Sequence, residues 1–520
     1  MPQWLLLALC AAHAQSDEQE VDPYRWVAAP LVEQMDEATQ VELRAGKGAV
    51  YVPTVSNPAD EPAVLIVDER KVRTHGTGEV VPLRAGSYVV IISSGTPSQG
   101  VSVPVEVFKG EITEVPVTWG GLRVEVVDER LIPHRGSYDL IRMDDRQAYG
   151  TGFGVDTLQG EALQTWLVPP GLYKLVQPGG NYRSRTDFAT VHVPEAGFVR
   201  YRLVVDPDTG EFRGAGVVLP GEFGDIQAKR GSRWANSLVL GADGALTQSR
   251  NVIGLVNQMV VTGDVFLDGQ MVYTGTKHFF SVLGQLEEGW SQVRPQEAEP
   301  LPLLQTRDSA RLDGLYTYFM TPRVGPYIRG ASETRLFPSH VLLTEDTTIV
   351  AIDPQGNEVR EDFAANETWR VSDAFTPTIL REGAGLNTRL SNSKLLTLNV
   401  RVGFGLRQNY YGGALVLDDD DATPQAVEYV EIETFGQQGM ESTVTASARL
   451  GFAVYATDLE AFGDFRDFTR PSMEWNNALT MRLTDNVSLR YQLSADYLPQ
   501  VQSEVQFEQS ALLRASWALL

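Results

Sequence analysis

The residues with chemical potential fall late in the chain and share one repeating position. Arg389, Arg401, Arg407, Arg449, Arg482, Arg490 and Arg514 each lie on the polar side of a run in which apolar and polar residues alternate. Around Arg401 and Arg407, Thr397 and Asn399 share that side, and Leu398, Val400, Val402, Phe404 and Leu406 take the other. Asp264, Asp268, Glu287, Asp313 and Glu333 take the corresponding side of other runs. Guanidiniums fixed along one inner surface would guide anions. Mixed with carboxylates in a narrow enclosure they would instead form ion pairs, because a buried charge needs a partner. The presence of both signs favours pairing.

Hydrolytic chemistry needs a serine activated by a histidine. His278 and Ser281 are three apart, so on a strand they project to opposite faces. The expectation is no enzyme, no catalytic residue and no cofactor. Asp418-Asp-Asp-Asp421 offers hard oxygens but lacks the spacing of a formed calcium loop, so a solvated acidic loop and no metal site is expected. Gly150-Thr-Gly-Phe-Gly154 lacks the lysine and helix of a phosphate loop and reads as a glycine-rich turn.

The elements that carry these side chains are long strands. From Val487 to Tyr497 apolar and polar residues alternate strictly, a period of two. Runs of about ten residues exceed the five or six of an average strand and suit a tilted strand crossing a bilayer. Twelve strands are expected near 233–246, 258–273, 278–291, 308–321, 326–336, 379–390, 395–408, 427–437, 441–457, 472–484, 486–497 and 506–519. Connections after even-numbered strands are short, among them Thr274–Lys277 and Gly436–Met440. Most of the others are longer, up to Phe337–Pro377. Short turns on one side and long loops on the other suit an outer-membrane barrel. Trp234 and Trp517 then fall at the inner rim, and Trp290 and Trp475 at the outer rim, as interface aromatics.

The 520-residue chain has a net charge of −24, which argues against nucleic acid as a partner. Its one cysteine, Cys10, lies in an N-terminal apolar run ending at Ala12-His13-Ala14, which reads as a signal peptide over 1–14. A polar tail or short helix is expected over 15–46, and a linker over 207–230 ahead of a barrel at 231–520. Between them lie two β-sandwiches, 47–119 and 120–206. They echo one another: Val67-Asp-Glu-Arg70 returns as Val127-Asp-Glu-Arg130, and Gly86-Ser-Tyr88 as Gly171-Leu-Tyr173.

These Gly-x-Tyr turns and closing strands resemble PEGA-like and carboxypeptidase-regulatory-like sandwiches of bacterial envelope proteins. Leu483-Thr-Asp-Asn-Val-Ser-Leu-Arg-Tyr491 and the last strand resemble outer-membrane barrels of the salt-induced type, although the chain ends in Leu520 where such barrels end in Phe or Trp. The fold class expected is all-β, two sandwiches followed by an antiparallel transmembrane barrel of about twelve strands. The function expected is an envelope anchor or scaffold, with a narrow anion-preferring pore as the alternative. The expected partners are outer-membrane lipid and, through residues 47–206, another envelope protein or cell-wall glycan.

Overall fold

The computed structural model describes residues 24–68, 71–218, 226–227, 234–249, 258–275, 277–296, 299–418, 426–484, 487–499 and 505–515. The proposed signal peptide, Trp517 and Asp419 to Asp421 lie outside them. A helix, Leu31–Thr39, precedes the first sandwich, whose sheets have three and four strands. The second sandwich has two four-stranded sheets. Its last strand, Phe212–Val217, pairs with Phe198–Val205, so the sandwich runs past residue 206 into the expected linker.

The internal repeat is physical. Tyr88 donates its hydroxyl to the Arg84 carbonyl at 3.0 Å, and Tyr173 donates to the Pro169 carbonyl at 2.6 Å. Each tyrosine bridges back four residues over its glycine turn, pinning the corner of the sandwich. The two domains are also joined firmly. Trp119, Leu167 and Phe198 are packed into the core of the first sandwich. Ser94 and Leu167 exchange hydrogen bonds across the junction, N–H to carbonyl at 2.9 Å and N–H to Oγ at 2.6 Å.

Twelve long antiparallel strands follow: Trp234–Ser249, Gln258–Thr274, His278–Pro295, Leu304–Tyr318, Val324–Thr334, Thr378–Asn392, Leu396–Tyr410, Phe435–Leu450, Ala453–Asp464, Ser472–Thr484, Val487–Tyr497 and Gln506–Ala515. They are numbered one to twelve in that order, each paired with the next. Strand five and strand nine are four strands apart, about 19 Å along a flat sheet at ~4.8 Å per strand. Arg329 of strand five nevertheless meets Glu460 of strand nine at 2.8 Å. The sheet is therefore curled into a barrel.

Ten of the twelve strands stand near their expected positions. Strands eight and nine do not. Their turn is Gly451-Phe452, at the end of the alternating stretch 444–452, and Gly436–Met440 is inside strand eight. Residues Ala426–Glu431, expected to begin strand eight, belong to an outer cap. There Thr347–Ile352, from the long loop after strand five, pairs in parallel with Ala426–Glu431, from the loop after strand seven. Leu343, Ile349, Trp369 and Tyr429 form the cap's small core.

Burial along the barrel is inverted. In strand seven Asn399, Arg401, Arg407 and Asn409 are buried, whereas Val402, Phe404 and Leu406 are 43%, 66% and 39% exposed. Alternate side chains point to opposite faces, so polar groups line the inside and apolar groups the outside.

Candidate functional site

The polar interior of the barrel is filled by the second sandwich, which enters from the short-turn end. Two of its loops do most of the reaching. The first follows Gly120–Val127. Asp128 shapes it by accepting the N–H groups of Arg130 and Ile132, both at 2.9 Å. This turn aims Arg130 at Asp268, with Nη2 at 2.7 Å and Nε at 2.5 Å from its two oxygens, and at Glu287. The Leu131 carbonyl accepts from Gln270 at 2.9 Å.

The second loop is a single helical turn, Thr157–Gln159. Asp156 caps it by accepting Leu158 N–H at 3.0 Å, and Gly160 ends it in the left-handed conformation, φ +73°. Four residues of this loop are each held by a different barrel strand. Ser281 donates to the Leu158 carbonyl at 2.5 Å, and Arg401 to Gln159 Oε1 at 2.6 Å. Arg389 donates to the Gly160 carbonyl at 2.6 Å, and Thr445 to Glu161 Oε1 at 2.5 Å. A side chain at residue 160 would meet Phe279 at 3.3 Å and Leu315 at 3.7 Å, so only glycine suits both the backbone and the space.

Further contacts continue round the wall. Arg449 donates to Asp139 and Thr151. Arg514 pairs with Asp187 at 3.1 Å and Glu211 at 2.9 Å. Arg490 donates to the Pro207 carbonyl at 2.7 Å, and Arg135 of the first loop pairs with Asp458 and with Glu161 at 3.1 Å. Arg482 stands beside Gly179 and donates to the Thr484 carbonyl at 3.1 Å.

Burial shifts the titration of the inserted loops. Burial, opposed by Arg135 and aided by Glu161, raises the Asp156 carboxyl to about 6. Burial, with Arg490 and Arg135 nearby, lowers His134 to about 4. Glu161 is also desolvated, but Arg135 outweighs this and holds its carboxyl below the ordinary value.

Past the sandwich, side chains cross the lumen directly. Arg329 pairs with Glu441 at 2.7 Å and Glu460 at 2.8 Å. Arg407 reaches Glu460 at 3.1 Å and Ser472 at 2.9 Å. Tyr327 donates to Glu441 at 2.5 Å, and Arg381 pairs with Glu474 at 3.2 Å. A Cβ at Gly383 would fall 2.2 Å from the Glu441 carboxylate, so the absent side chain makes room for it.

Asp268, Glu287 and Asp313 of the expected inward carboxylates are paired, but with partners other than the expected ones. Asp268 and Glu287 meet Arg130 of the sandwich rather than barrel arginines. Asp313 pairs with Arg311 of its own strand at 2.5 Å. Asp264 is half-buried beside Gly289, and Glu333 is exposed. Arg329, Arg381, Glu441, Glu460 and Glu474 were not singled out from the sequence. Their signal was the same strand parity that marked Arg401 and Arg407, set beside inward glycines at Gly383 and Gly405.

His278 is exposed, 2.8 Å from the Tyr316 hydroxyl, while Ser281 is buried against the sandwich, so the two lie on opposite faces. Trp234 is exposed and packs with Tyr273 and Phe280, ring centres 4.9 and 6.1 Å away. Trp475 is exposed and donates to Thr457 at 3.0 Å. Trp290 is half-buried beside an irregularity in strand three. Asp418 joins the outer cap, its N–H bonded to the Glu428 carbonyl at 3.0 Å. Among the described residues there is no cluster of three potential metal ligands.

No family model matches the chain, and no curated protein matches it. Among solved structures it is similar to the beta domain of the Bordetella autotransporter Brka, at 9% identity and a TM-score of 0.23, covering 55% of this chain and 99% of that one. It is also similar to the monoaromatic hydrocarbon channel CymD, at 11% identity and a TM-score of 0.25, covering 74% and 89%. The copper transporter OprC gives 11% identity and a TM-score of 0.19, covering 84% and 68%.

Proposed function

We propose that this chain is an outer-membrane barrel closed by its own second sandwich, acting as an anchor or scaffold that holds the first sandwich in the periplasm. The observation that carries the reading is the inverted burial: apolar side chains such as Phe404 face outward while Arg401 and Arg407 are buried inside. Such a surface suits lipid and is costly in water. The anion-pore alternative needs unpaired positive charge along the lumen. Arg329, Arg407, Arg449 and Arg514 instead face carboxylates, and Arg389 and Arg401 bond to the inserted loop.

Residues 47–119 remain the surface for an envelope protein or cell-wall glycan, because the second sandwich uses its own loops to fill the barrel. Tandem sandwiches of this kind serve as binding or spacing modules. Membrane fractionation of the expressed chain, with gel migration of heated and unheated samples, tests the barrel. A chain that stays in the soluble fraction would refute it. Removal of residues 47–119 should spare insertion and abolish any co-purifying partner.

A further inference from the structure

The inserted sandwich does not fill the barrel evenly. It is bonded closely to strands two, three, six, seven and eight, but on the side of strands nine to twelve a crevice of about 470 Å³ lies between the barrel wall and Pro133, His134, Arg135, Asp156 and Asp208 of the sandwich, bridged by the Arg135–Asp458 pair and by Arg490 and Gln492 donating to the Pro207 carbonyl. On strand eleven the lining runs from Arg490, three residues above the short turn, to Ser494, three residues below the strand's other end. Both margins are open to water: Asp208 on the sandwich side and Glu508 on strand twelve are exposed. Asparagine, glutamine and serine side chains between them give a wall that water wets.

The charges facing this crevice are Asp156, Asp208, Asp458 and Glu508 against Arg135 and Arg490. That is a surplus of two negative charges. Arg135 is moreover already engaged by Asp458 and Glu161, and His134, with its depressed titration, is neutral near pH 7. Fixed negative charge beside a water-filled gap lowers the barrier for cations and raises it for anions.

We propose that this crevice is a narrow aqueous path past the sandwich that passes small monovalent cations. The path rests on the outer-membrane reading above and gives the closed barrel a small, cation-preferring leak. Of the seven arginines that suggested anions, Arg490 lines the crevice and donates to the Pro207 carbonyl at 2.7 Å; the other six do not line it.

The test is planar-bilayer recording of the full chain in a potassium chloride gradient, with insertion verified by heat-dependent gel migration. Small, stable steps with a several-fold preference for potassium over chloride are expected. In the double variant Asp208→Asn/Glu508→Gln, which removes the surplus at two exposed positions, the reversal potential should move towards zero with folding unchanged. Silence from verified inserted protein, anion preference, or an unmoved reversal potential in the double variant would each overturn the path. Failure to insert would overturn the membrane reading beneath it.

Discussion

Arg130 and Asp268 lie 138 residues apart in the chain, and their guanidinium and carboxylate meet as a two-pronged pair, Nη2 at 2.7 Å and Nε at 2.5 Å. Asp268 is only 4% exposed, so the pair joins the sandwich to the barrel wall where the carboxylate has little water to compensate its charge.

Removing Arg130 leaves Asp268 buried without its partner. Loss of one member of a buried pair costs about 3–5 kcal/mol, much of it from the stranded charge. Arg130→Ala should therefore loosen the sandwich in the lumen, and Arg130→Ala/Asp268→Asn should recover part of the loss. Protease sensitivity of the 128–135 loop in the inserted protein measures both. Equal damage in the single and double variants would show that the pair does not couple the two domains.

Gly160→Val combines an unfavourable left-handed backbone with contacts on Phe279 and Leu315. Overpacking of this kind costs about 1–3 kcal/mol, and the backbone adds of order 1–3 more. Cleavage near residues 156–161 should rise, while the heat-dependent migration of the barrel should stay as in the parent.

Two titrating groups of the inserted loops oppose each other in acid. Asp156 is raised to about 6, so its contribution is fully present below its ordinary value of 3.8 and is lost as pH rises through 6. His134 is lowered to about 4, so its contribution is present above its ordinary 6.5 and is lost as pH falls through 4. The shifts are of similar size, and docking of the sandwich should vary little between pH 6.5 and 4. Asp156→Asn should become weaker in acid, and His134→Gln stronger. Thermal unfolding of each variant across that range checks the signs; parallel curves would refute the opposition.

Glu441 receives both Arg329 and Tyr327 at mid-lumen. Glu441→Ala should leave Arg329 on Glu460 alone and widen the lumen above the sandwich, raising conductance in planar bilayers without loss of insertion. Unchanged conductance would mean that the sandwich alone sets the resistance.

Much of this design is legible in the sequence because a period of two assigns each residue to a face. That period places Arg401 and Arg407 inward, and they are buried there. The same period says nothing about where one strand stops and the next begins. The alternation from Val444 carries on through Gly451-Phe452, so 441–457 reads as one strand with its turn at Gly436–Met440, and Ala426–Glu431 resembles a wall strand although it pairs in the outer cap. The filling of the lumen was hidden for a different reason. Nothing local to Arg130 or Gly160 marks a partner well over a hundred residues away, and parity alone could not say whether an inward carboxylate faces an arginine of the barrel or of another domain.

Arg514, on the last strand, grips Asp187 and Glu211 of the same sandwich that Arg130 fastens to strand two. The last strand and the second are thus bonded to one body that precedes them in the chain. The sandwich, with a hydrophobic core of its own, stands as a former inside the curl of the staves. A sheet gathered on such a former is held in its curl by side-chain bonds to the sandwich as well as by the hydrogen bonds between its own strands.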